Sequence, residues 1–169
     1  MSAILCNAGP LIVLGKLNRL DLLASLYTTV TIPQAVYSEV VTVGLRRGHT
    51  DARLIQRFWQ QQDWPIVTVP ALALENYYPP VMLDAGETEL LALAQQVSPE
   101  LVLMDDEIAR SEARRLGLAT KGTLGILVQA YRQNAITHQQ TKSLISEIAV
   151  RPDIWISAQL CQRVLAALD

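Results

Sequence analysis

Short apolar runs alternate with longer stretches in which apolar residues recur every three or four positions. The runs AILC (3–6), TTVTI (28–32), PIVTV (65–69) and LVLM (101–104) read as strands, and LATK (118–121) as a short fifth. Helical periodicity marks residues 18–26, 33–43, 51–62, 85–97 and 107–116, and then 122–134, 138–149 and 157–168. Pro33 suits the first turn of its helix and Gly117 a C-terminal cap. GLRRGHTD (44–51) reads as an exposed loop, and YYPP (77–80) as a turn or rigid kink. The strands lack a clean alternation of apolar and polar residues. This favours an α/β fold whose mostly parallel central sheet is covered on both faces. In such sheets ligands bind beyond the carboxyl ends of the strands, at a topological switch point. Asn7 follows the first strand and Asp105-Asp106 the fourth, so both are expected at that edge.

Composition narrows the class. The 169 residues are most simply one domain, 1–169, with a helical C-terminal part from about 122. Half of the residues are hydrophobic and 18% are charged, which argues against disorder. No apolar run approaches the ~18–20 residues needed to span a bilayer, and no signal peptide is apparent. Cys6 and Cys161 lie among aliphatics, as buried thiols in a reducing compartment would. The expectation is a cytoplasmic protein without membrane contact. A formal charge of −2 gives no general attraction for nucleic acid and leaves only local basic patches.

Four places carry candidate chemistry. In IPQAVYSEV, Glu39 borders the stripe formed by Val36, Val40 and Val43, where it can reach into a cleft or simply be solvated. In LDAGETELLALA, Asp84 and Glu87 fit a helix capping box; Glu87 is also a candidate ligand, with Glu89 the weaker one. In LVLMDDEIAR, Asp105, Asp106 and Glu107 exceed what a helix cap needs, and a divalent cation is a common reason to concentrate carboxylates. Asn7 offers a neutral amide oxygen, although an Asn after a strand ordinarily bonds to nearby backbone. A receiver domain also places an acidic pair after a strand, but the residues following Asp105 are too few for its remaining units.

Taken in order, NAGPLIVLGKL, IPQAVYSEV, LDAGETELLALA, LVLMDDEIARSEARRLG and KGTLGILVQA resemble the PIN-domain superfamily, particularly its PIN-like branch related to VapC toxin ribonucleases. The resemblance implies a three-layer α/β/α fold. It implies an acidic pocket that binds Mg²⁺ or Mn²⁺ and cuts single-stranded RNA with water as the nucleophile. Carried over, the acids fall on Glu39, Glu87 and Asp105 as catalytic residues. Asn7, Glu39, Glu87, Asp105 and Asp106 become the metal set, with Asn7 standing where the family has Asp. A toxin would imply an antitoxin protein as partner. The C-terminal helices, including DIWISAQLCQRVLAALD, are candidates to cover the sheet or to bind a second copy or the antitoxin. Ordinary core packing is expected for Trp155, Leu160, Val164 and Leu168. A non-catalytic binding or interaction module on the same scaffold is the alternative.

Substrate contacts are sought among basic residues. Arg46, Arg47, Arg53 and Arg57 cluster around one loop and helix, and Arg110, Arg114 and Arg115 follow the acidic pair. Lys121 and Thr123 are further candidate RNA contacts, although KGTLG lacks the spacing of a P-loop.

Overall fold

The computed structural model describes residues 3–168. Its strands are β1 (Ile4–Cys6), β2 (Ile32–Pro33), β3 (Ile66–Val67), β4 (Leu101–Leu103) and β5 (Thr120–Lys121). β1 pairs with β4, β4 with β5, and β2 with β3, all in parallel. A parallel bridge between Leu5 and Thr31, with Thr31 N–H donating to Ile4 (2.9 Å) and Cys6 N–H to Thr31 (3.1 Å), joins the two sets. The resulting order, β3-β2-β1-β4-β5, reverses direction between β1 and β4, which makes that junction the switch point.

Side chains alternate across this sheet. Cys6 and Leu103 enter one apolar cluster, with α1 (Ala8–Lys16), α2 (Asp21–Leu26), α5 (Thr50–Gln62), α9 (Thr123–Arg132), α10 (His138–Val150) and α11 (Ala158–Leu168). Leu5, Val102 and Met104 enter the other, with α6 (Ala71–Glu75), α7 (Ala85–Val97) and α8 (Glu107–Arg115). A strand buried on both faces has no polar face to show, so the three-layer α/β/α arrangement explains the missing alternation in the sequence.

Several elements depart from expectation. α1 is missed by periodicity because Leu11, Val13 and Leu14 are buried together with Ala8 and Pro10, leaving no clear polar side. Pro10 falls in the first helical turn, where its missing N–H costs nothing. Pro33 ends β2 and caps α3 (Gln34–Tyr37) instead of lying inside it. α3 widens into a π-helical turn, Ser38–Val43, and continues as α4 (Gly44–Arg46), so the start of the expected loop at 44–51 is helical. Gly44 permits this close path: a Cβ there would lie 2.7 Å from that of Ala52 on α5. Gly117, at φ +78°, terminates α8 as expected. Cys6 and Cys161 are free and buried. No helix among the described residues is long and apolar enough to cross a membrane.

Candidate metal and nucleic-acid site

A cleft of about 670 Å³ opens at the switch point and is lined by Asn7, Glu39, Asp84, Glu87, Asp105 and Asp106, among others. Four helices begin at its wall. Asn7 precedes α1, Asp84 caps α7, Asp106 caps α8 and Gly122 precedes α9. Their N–H ends carry partial positive charge, which helps hold carboxylates together.

Asn7 is 5% exposed and sits at the N-cap position of α1, yet its side chain does not cap. Its backbone N–H continues the β1–β4 ladder to Leu103 (2.8 Å), while Oδ1 is buried without any hydrogen-bond partner. The ordinary role of an Asn after a strand is therefore not the one it plays. A buried acceptor left unpaired costs about 1–3 kcal/mol.

Asp105 is held from α9. Thr123 N–H donates to Oδ1 (2.7 Å) and the Thr123 hydroxyl to Oδ2 (2.6 Å). Burial raises the Asp105 carboxyl above its ordinary value; the two Thr123 hydrogen bonds and the Arg110 charge oppose that shift. Glycine supplies the room: a Cβ on Gly122 would lie 2.8 Å from Asp105 Oδ1, and one on Gly9 would lie 3.2 Å from Oδ2. Gly86 likewise leaves room for Glu39: a Cβ there would lie 3.2 Å from Glu39 Oε2.

Glu87 caps its helix and also lines the cleft. It completes the capping box, accepting from Asp84 N–H (3.0 Å) while its own N–H donates to Asp84 (2.8 Å). Desolvation raises its carboxyl above the ordinary range despite the backbone hydrogen bond, with Asp84, Asp106 and Glu39 adding to the rise. Glu39, on the π turn, is raised first by desolvation and then by Asp84. Asp106 caps α8 through Ala109 N–H (2.9 Å). Glu89 is spent elsewhere, accepting from Ala35 N–H (3.0 Å) at the start of α3.

The basic residues sort differently from their grouping in the chain. Arg46 and Arg47 are exposed and do not line the cleft, and Arg53 and Arg57 are also on the surface. Arg114 pairs with Glu107 (2.7 Å) and Arg115 with the buried Glu112 (2.7 Å), which dissolves the second patch. Arg110 remains in the cleft, with Nε buried and unpartnered. Lys121 lines the cleft and contacts Gln129. Thr123 is 0% exposed and its hydroxyl is committed to Asp105, so it positions the acid and offers no surface to RNA. Trp155 corrects an expectation outright: it is 96% exposed at the cleft, not packed in the core. Leu160 and Val164 are half-buried there too.

The donors that could take a cation are all oxygen, an amide and carboxylates, which is the set preferred by Mg²⁺ or Mn²⁺. Among the described residues, no three His, Cys, Asp or Glu side chains stand close enough to form a ready metal cage. An ion that keeps part of its water shell, as Mg²⁺ does, fits such a half-open set, and the orphaned Asn7 Oδ1 is a donor in need of a partner.

No curated protein sequence matches the chain significantly. Among solved structures, the Mycobacterium tuberculosis toxin VapC20, described as cleaving the sarcin-ricin loop, has a similar fold. The TM-score is 0.52 at 16% identity, over 64% of this chain and 94% of that one. The PIN domain family DUF3368 matches residues 3–169, and the chain belongs to the PIN-domain family.

Proposed function

We propose that this protein is a divalent-cation-dependent endoribonuclease that cleaves single-stranded RNA, the toxin of a toxin–antitoxin pair. One observation carries the reading. The buried, unpartnered Oδ1 of Asn7 lines the same cleft as Glu39, Glu87 and Asp105, all three with raised carboxyl pKa values. Such perturbed groups concentrate where chemistry is done. Asn7, Glu39, Glu87, Asp105 and Asp106 would hold Mg²⁺ or Mn²⁺. When bound, the ion would offset charge building on the phosphate and favour ionisation of water.

The geometry supports these roles for the protein's own groups. Asp105 is fixed by Thr123, whose two donors oppose the rise that burial imposes on its carboxyl, while Arg110 presents an unpartnered guanidinium nitrogen in the same cleft. Glu39 lines the cleft and accepts no hydrogen bond from a described residue, which leaves its carboxylate free to take a proton from water. The bond from water oxygen to phosphorus forms as the bond to the leaving ribose oxygen breaks. One water proton passes to Glu39, and the leaving oxygen is protonated from solvent. The family and the VapC20 likeness support an antitoxin as partner, and light scattering over a concentration series would show whether two copies associate.

The test is Mn²⁺-dependent cleavage of single-stranded RNA by the wild type and by Glu39→Gln purified identically. Glu39→Gln disturbs no hydrogen bond of the fold, and a loss of about 10²-fold or more is expected from removing a general base. Equal cleavage by both would assign the activity to a contaminant. The alternative, a non-catalytic binding module, rests on Asn7 replacing the family's Asp. No cleavage by the wild type, with cleavage by Asn7→Asp, would favour it.

A further inference from the structure

Trp155 is exposed by construction of the loop that carries it, not by slackness. Arg151 pairs with Asp153 (2.8 Å) and Glu147 (3.1 Å) and donates to the Lys16 carbonyl at the end of α1 (3.0 Å). Lys16 returns a contact to Asp153. On either side of Trp155, Ile154 is buried and Ile156 half-buried. The indole could bury a large apolar area but is held outward instead, at the mouth of the acidic cleft.

The cleft also continues beyond the acids. Lys121, Leu124 and Gly125 line both it and a hollow along α9, and Leu160 lines both it and a groove between α9 and α11. Arg132 lies in both extensions and Arg163 in the second. Both are exposed. Among the described residues, no carboxylate forms an ion pair with Lys121, Arg132 or Arg163. Lys121 and Arg132 line the same hollow along α9, and desolvation, then the charge of Arg132, lowers the Lys121 pKa.

We propose that the cleft and its two extensions, along α9 and between α9 and α11, are the path of the single-stranded substrate, with Trp155 as a base-stacking platform in the acidic cleft and Lys121, Arg132 and Arg163 tracking its phosphates. The inference rests on the ribonuclease reading for the direction of the strand into the cleft. Exposed aromatics beside a line of cations are how proteins hold unpaired strands without reading sequence, because every base has a face to stack. In a duplex the bases are already stacked on one another and cannot reach the indole.

Binding is measured in EDTA, where a cation-dependent nuclease cannot consume the probe, using a fluorescent 12-nucleotide RNA alone and annealed to its complement. The single strand is expected to bind at least tenfold more tightly than the duplex. Trp155→Ala should weaken it by about tenfold, while Trp155→Phe keeps most of the affinity. The double variant Arg132→Glu/Arg163→Glu should weaken binding and flatten its salt dependence. RNA should quench the exposed component of tryptophan emission in the wild type and not in Trp155→Phe. Cleavage with Mn²⁺ is assayed in parallel on the same variants. Wild-type cleavage with unchanged binding in Trp155→Ala and the double variant would overturn the path and leave the nuclease standing. Binding lost in both variants, without cleavage by any protein, would keep the path and remove the nuclease. A duplex bound as well as the single strand, or no RNA binding by the wild type, would also overturn it.

Discussion

Thr123→Val tests how far Thr123 opposes the effect of burial on Asp105. Valine matches threonine in shape and removes only the hydroxyl that donates to Asp105 Oδ2 at 2.6 Å; the backbone donor to Oδ1 at 2.7 Å remains. Thr123 is fully buried, so no water from the surface replaces the lost donor directly. A hydrogen bond to a charged group contributes about 1.5–3 kcal/mol, and that is the expected loss of stability at pH 7. At about 2–4 °C per kcal/mol for a chain of this size, the melting temperature should fall by roughly 3–12 °C. The pH dependence separates this mechanism from a packing defect. The two Thr123 donors oppose the rise caused by burial, so removing one raises the folded-state pKa of Asp105 further. As pH falls through that value, Asp105 becomes neutral and the gap to wild type should shrink to about 1 kcal/mol, the size of an uncharged hydrogen bond. The assay is urea denaturation of both proteins at neutral and mildly acidic pH. A gap that stays constant across pH, or one below about 0.5 kcal/mol at pH 7, would refute the reasoning.

Three further outcomes follow from the same cleft. Gly122→Ala places a Cβ 2.8 Å from Asp105 Oδ1, and should cost about 1–3 kcal/mol in denaturation experiments while lowering Mn²⁺ affinity by calorimetry. Glu89→Ala removes the acceptor for Ala35 N–H and should cost about 0.5–2 kcal/mol with Mn²⁺ affinity unchanged, which distinguishes it from Glu87. Glu39 and Glu87 have raised folded-state pKa values, so between those values and the ordinary carboxylate range the folded state binds more protons than the unfolded one. Their contribution therefore makes stability rise as pH falls through that window. Glu39→Gln should reduce the slope measured by thermal melts, and an unchanged slope would contradict the assignment.

The sequence carried more of the site than of its surroundings. Strand ends and helix starts are visible as local chemistry, so strand order alone places Asn7 and Asp105-Asp106 at one edge. The capping box at Asp84 was equally legible because both halves lie within one turn. What depends on distant partners was not. Nothing near Glu89 in the chain says that Ala35 occupies it, and nothing near Thr123 says that its hydroxyl belongs to Asp105. The arginines after Asp106 form a patch in one dimension, whereas in three dimensions Arg114 and Arg115 have partners and Arg110 faces the cleft. For Trp155 the local sequence points to the core, because an aromatic amid aliphatics is usually buried. Its exposure comes from Arg151 and Lys16 holding the loop, one from the adjoining helix and one from the far end of α1.

The π turn at Ser38–Val43 has a consequence for how this helix tolerates insertion and deletion. Its first half is keyed to β2 and α7 through Ala35 and Glu89, and its last turn to α5 through the near-contact of Gly44 with Ala52. Those two anchors demand different rotational phases, and the wide turn between them absorbs the difference as a single surplus residue. Removing one residue there would restore a regular helix at the expense of one anchor. Either Glu39 would rotate away from the cleft, or Gly44 would lose its place against α5. The carboxylate at the rim is thus secured by chain length as much as by side-chain identity, and a one-residue deletion should be less tolerated than most substitutions in the same turn.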